Sequence, residues 1–145
     1  MNVTHAIQIT EAVPAAEFLR GSLRANAAFS ALSGVVLAIA NGEIATLLGE
    51  VPSLLVLLVG VQLLFFAGLL VWLASRSEIP ASLATGVVVA DLLWIFATIL
   101  VVYIDVLTRS GEALATVLAG IVLVMAILQS IGIRRMGTTR AEVRS

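Results

Sequence analysis

The chain has no cysteine and no lysine, a single histidine, and only 12% charged residues. Each shortage removes a class of function. Without cysteine there is no disulfide framework, no thiolate metal site and no thiol redox chemistry. The lone histidine, His5, sits in a polar N-terminal arm, so paired axial histidines inside a helix bundle, as a haem would need, are excluded. Eight scattered arginines make no basic surface for nucleic acid. No glycine loop for phosphate and no metal-ligand spacing occurs, so no cofactor or metal is expected. Two carboxyl groups acting together are also missing. Asp91 and Asp105 stand four helical turns apart, about 21 Å along a helix. With no Ser/His/Asp set either, the chain is expected not to be an enzyme.

Apolar sequence takes the place of charge. The chain is 61% hydrophobic, and its mean hydropathy is +1.14. A soluble domain is roughly half apolar and about a quarter charged, so this composition predicts a membrane protein. Four long apolar runs cover roughly residues 23–40, 53–74, 81–104 and 113–133. Lipid offers the backbone no hydrogen-bond partners, so runs of this length must be helices. The predicted fold is all-α: an antiparallel transmembrane four-helix bundle spanning 23–133, preceded by an arm at 1–22 and followed by a basic tail at 134–145.

Local punctuation sets the expected boundaries. Pro14 is read as the first residue of an interfacial helix in the arm. The first run is short of the ~20 residues needed to cross, so it is expected to draw on that arm helix. Arg20, Arg24 and Ala38-Ile39-Ala40 also fit a signal peptide, but the long polar arm before them favours a retained span. Asn41-Gly42 is expected to end the first span through a left-handed glycine, with a loop from Glu43 to Val51. Ser110 is expected to cap the fourth helix, and the tail after Arg134 to fray.

Arginine distribution predicts orientation. Arg20, Arg24, Arg76, Arg134, Arg135, Arg140 and Arg144 fall on one side and Arg109 on the other. By the positive-inside rule both termini are cytoplasmic, and a dual-topology dimer is disfavoured. These arginines set topology and can touch anionic lipid.

Small residues predict how the helices meet. Ser30, Gly34 and Ala38 form a ladder on the first span; Gly60 and Ala67 mark a close-packing face on the second; Ala84 and Ala119 do so on the third and fourth. Gln62 points about 200° away from Gly60 and so calls for a partner of its own. Phe65, Phe66 and Trp72 read as lipid-facing or interfacial bulk rather than as a cofactor box.

The candidate site centres on Asp91, the one charge deep inside an apolar run. Trp94, Thr98 and Ala84 share its helix face. Gln62 is expected at the same depth, and Asn26 is expected with Gln129 nearer the cytoplasmic side. An intramembrane carboxylate costs ~2.5–3.5 kcal/mol on insertion scales and is a functional candidate by default. With no cation at its depth, Asp91 is expected to be protonated and to donate to Gln62, Ser30, Ser33 or a backbone carbonyl. It serves either as a packing hydrogen bond or as a proton- or cation-coupling site.

The stretch Asn26-Ala27-Ala28-Phe29-Ser30-Ala31-Leu32-Ser33-Gly34, with Ala45-Thr46-Leu47-Leu48-Gly49, Asp91-Leu92-Leu93-Trp94 and Gly132-Ile133-Arg134-Arg135, resembles small four-span integral membrane proteins of bacteria. That resemblance implies a multi-pass protein of the bacterial inner membrane and brings no activity with it. The functional expectation is a non-enzymatic protein acting by association with itself, with a larger membrane complex or with lipid. The alternative is a small proton- or cation-coupled transporter or channel oligomer.

Overall fold

The computed structural model describes the backbone of residues 3–49 and 51–142, and the side chains of residues 15–49 and 51–137. His5, the side chain of Pro14, and the side chains of Arg140 and Arg144 lie outside the described residues. The described chain is all-α, with five helices: α1 Val3–Ile39, α2 Asn41–Leu48, α3 Ser53–Ser75, α4 Ala81–Tyr103 and α5 Arg109–Glu142. Four segments are long and apolar enough to cross a membrane: Ala15–Ile39, Ser53–Ser75, Ala81–Tyr103 and Arg109–Gly137.

Several expected boundaries move. α1 runs unbroken through Pro14, so the arm and the first span form one helix and Pro14 does not start it. Among the described residues the apolar stretch of α1 reaches back to Ala15, and Ala15, Leu19 and Leu23 are buried against neighbours. Gly42 does not close α1 by a left-handed turn. The Asn41 side chain does so instead, with Nδ2 donating to the Ala38 carbonyl at 2.9 Å. The expected loop after it is largely the short helix α2, ended by Gly49 at φ 129°. Ser110 is not the cap of α5; the Thr108 hydroxyl accepts from the Gly111 N–H at 3.0 Å. Thr108 also ties this turn to the end of α2, its N–H donating to the Leu48 carbonyl at 2.8 Å and its hydroxyl to the Leu47 carbonyl. The tail does not fray at Arg134, since α5 continues to Glu142.

Proline opens both α3 and α4. Pro52 and Pro80 have ψ of 128° and 124°, and each sits just outside its helix, where no N–H is needed. Their carbonyls accept the first helical bonds, from Leu55 at 2.9 Å and from Leu83 and Ala84 at 3.1 Å.

α1 is the central element. It packs along α3 on one side and α5 on the other; α4 packs on α5, and α3 barely touches α4 although the two are consecutive. Close approach at glycine sets the α1–α3 contact. A Cβ built on Gly60 would lie 2.8 Å from the Ala38 nitrogen and 2.9 Å from the Gly34 carbonyl. Gly132 of α5 is pressed likewise against Leu19, where a Cβ would come within 3.0 Å of the Leu19 Cβ.

The tight core fills one end of the bundle: Leu19 and Leu23 from α1, Leu70 and Leu73 from α3, Ala84 and Val87 from α4. The same end carries the cations. Arg20 Nη2 donates to the Arg76 and Ser77 carbonyls at 2.8 and 2.6 Å, and Arg135 stacks 5.1 Å from the Phe18 ring centre. Above this end α3 and α4 leave a gap, which becomes the site.

Candidate functional site

Asp91 sits ten residues after Ala81, the first residue of α4, about 15 Å along the helix from the end where Arg20 meets the Arg76 and Ser77 carbonyls. Asn26 of α1 stands beside it. Both are buried, at 3% and 1% exposure. Asn26 Nδ2 donates to Asp91 Oδ2 at 2.9 Å, and the Ser30 hydroxyl donates to Asn26 Oδ1 at 3.3 Å. The Asn26 amide is therefore used from both ends. Ser30 helps to set which way it faces, and the amide hydrogen is aimed at the carboxyl group. Among the described residues, Asp91 Oδ1 takes no partner.

This arrangement corrects the expected one. Asp91 is paired with Asn26 of α1 and not with Gln62, Ser30, Ser33 or a carbonyl, and in that bond it accepts. Gln62 is exposed on α3. Gln129 does not join Asn26: it is fully buried, and its Oε1 and Nε2 make no hydrogen bond to a described residue. The Thr98 hydroxyl bonds back to the Trp94 carbonyl at 3.0 Å within its own helix. The inward face of α4 is Ala84, Val87 and Asp91, and it runs out beyond them, with Asp105 exposed. On α5 the buried positions include Ala119, Val122, Ala126, Gln129 and Gly132, whereas Thr116 and Leu123 face outward.

Beside the Asp91–Asn26–Ser30 cluster lies a cavity of about 620 Å³ between α3 and α4, with α1 and α5 behind it. Its polar lining is Asn26, Ser30, Ser33, Gln62 and Asp91. Phe29, Phe65, Phe66 and Trp94 supply aromatic walls. Phe66 is thus not lipid-facing bulk, since it also packs against the core. Phe65 is 78% exposed and stands at the outer edge. The two helices flanking it, α3 and α4, are the pair that barely touch each other.

The size and lining suit a small-molecule site. Such sites occupy roughly 300–1,000 Å³, with mostly apolar walls and a few convergent polar groups. Among the described residues no group of His, Asp or Glu side chains stands together as a metal site. No protein-family model, curated protein or solved structure matches this chain.

Proposed function

We propose that this chain is a non-enzymatic, multi-pass protein of the bacterial inner membrane that acts by association, holding a lipophilic molecule in the cleft between α3 and α4. The arginine distribution supports cytoplasmic termini. A second copy or a larger membrane complex extends the same mode of action without changing the site. One observation carries the reading: the helices leave about 620 Å³ open beside a buried polar cluster instead of packing over it. In lipid, helices associate by close van der Waals contact. Space retained at the one buried acid among the described residues is space for something other than a helix.

Filling the cleft tests this. Ala90 lines the cavity and is exposed on α4, so Ala90→Phe adds a ring without removing a helix contact. Protein purified in mild detergent is expected to carry a lipophilic small molecule or lipid that mass spectrometry identifies, and Ala90→Phe to lose it at least ten-fold with helicity unchanged. Equal retention by both proteins overturns the reading.

A second reading uses the same cleft. Because the cavity reaches Asp91, the chain can also be a proton- or cation-coupled transporter, alone or as a conducting oligomer, in which Asp91 changes charge.

A further inference from the structure

Resting on the reading of the cleft as a binding site, we propose that its ligand is a lipophilic monocation, such as a hydrophobic amine or a quaternary ammonium or phosphonium ion. The argument starts from an unmatched charge. Among the described residues Asp91 is the one acidic side chain lining the cavity and no arginine lines it, and the chain contains no lysine. Asn26 satisfies Oδ2 with a neutral amide, and no described residue bonds Oδ1. The site therefore holds a carboxyl group and supplies no countercharge.

The walls point the same way. The chain has five Phe, two Trp and one Tyr. Half of these eight, Phe29, Phe65, Phe66 and Trp94, line this one cavity, arriving from three different helices. Aromatic faces attract cations, most strongly where water is excluded. A neutral ligand would gain from the apolar walls but would lack the Coulomb attraction that an ionised Asp91 offers a cation, and an anion would be repelled by that charge. The carboxyl of Asp91, the side-chain carbonyl of Gln62 and the Ser33 hydroxyl can all accept from a protonated amine. The cleft lies between two apolar helices long enough to cross a membrane, so a ligand that concentrates in lipid can reach it, and the volume fits a drug-sized molecule.

The test compares near-isosteric probes of opposite and zero charge. The full chain is placed in phosphatidylcholine nanodiscs, and binding of tetraphenylphosphonium, tetraphenylborate and triphenylphosphine oxide is measured above the partitioning into empty discs. Saturable phosphonium binding is expected, at least ten-fold tighter than either comparator, and weakened at least ten-fold by Asp91→Asn and several-fold by Trp94→Leu. The charge comparison on the unaltered protein needs no variant to fold. If the borate or the oxide binds as tightly as the phosphonium, the cation assignment is overturned and the cleft reading stands. If no probe saturates, or if phosphonium binding survives Ala90→Phe, the cleft reading falls with it.

Discussion

At the scale of single residues, a carboxyl group buried among helices in lipid needs a donor, and Asn26 provides one at 2.9 Å. Hydrogen bonds between membrane helices contribute on average about 0.6 kcal/mol and at most about 1.7. The Asn26–Asp91 contact is therefore too weak to be the reason the bundle forms. It can orient the acid. Two substitutions separate orientation from charge. Asp91→Asn keeps an acceptor for the Asn26 amide, so thermal stability and assembly in detergent are expected to stay within about 0.5 kcal/mol, the usual range for a change that breaks no named interaction. Any proton-linked flux in liposomes, in contrast, should vanish. Asn26→Ala removes the donor and is expected to cost roughly 1 kcal/mol, with flux or binding weakened but still present. If Asp91→Asn disrupts assembly as badly as Asn26→Ala, the acid is a packing device and its charge is incidental.

The same pair shows what a sequence can carry. Asp91 stands out because charge in an apolar run is rare. Asn26 stands out less, and its depth was misjudged for a physical reason. Starting the first span at Leu23 leaves Asn26 less than one turn inside, whereas the buried apolar face of α1 already includes Ala15 and Leu19. Ala15 and Leu19 of the arm and Leu23 of the span are apolar at helical spacing and buried, which is the signal that moves the boundary. Phe29 gave no such signal, since a lone aromatic in an apolar span reads as lipid-facing until its neighbours are known.

At the scale of elements, the helices were legible because lipid permits little else, and the loops were not. α2 and the Thr108 cap depend on contacts between distant segments, Thr108 with Leu47 and Leu48, and local residue preference cannot specify these. The α1–α3 crossing is intermediate: small residues marked Gly34, Ala38 and Gly60, but only the packed helices show that these meet. Gly60 and Gly68 offer a controlled comparison on one helix. A Cβ on Gly60 would collide with backbone at 2.8 and 2.9 Å, whereas one on Gly68 meets nothing within 4 Å. Backbone cannot rotate away as a side chain does, so α1 and α3 must separate. Gly60→Ala is expected to destabilise the bundle by about 1–3 kcal/mol, the range for overpacking. Gly68→Ala should be neutral or slightly stabilising, because alanine is the better helix former. Unfolding in mixed micelles measures both, and equal effects would mean that α1 and α3 do not cross at Gly34 and Gly60.

At the scale of the whole molecule, the helix order is α3, α1, α5, α4, with the opening between the two outer members. The chain departs from a closed ring because α1 and α5 take the inner positions and the short turn after Ser75 holds α3 and α4 together only at its own end. Arg20 reinforces that end by donating to the Arg76 and Ser77 carbonyls, which the termination of α3 leaves free. Arginine here therefore does two things at once. It joins α1 to the α3–α4 turn, and it gathers positive charge at the end where Arg135 also packs. If that charge sets the insertion, this end faces the cytoplasm and α2 faces outward. The absence of native cysteine makes the question clean, since an introduced thiol is the only one present. Ser77 and Glu43 are both exposed, at opposite ends of the bundle. A membrane-impermeant maleimide applied to intact cells is expected to label Glu43→Cys and to leave Ser77→Cys untouched until the inner membrane is opened. Labelling in the reverse sense would invert the orientation. Substantial labelling of both in intact cells would mean that the chain inserts both ways, and the arginine asymmetry would then belong to the fold alone.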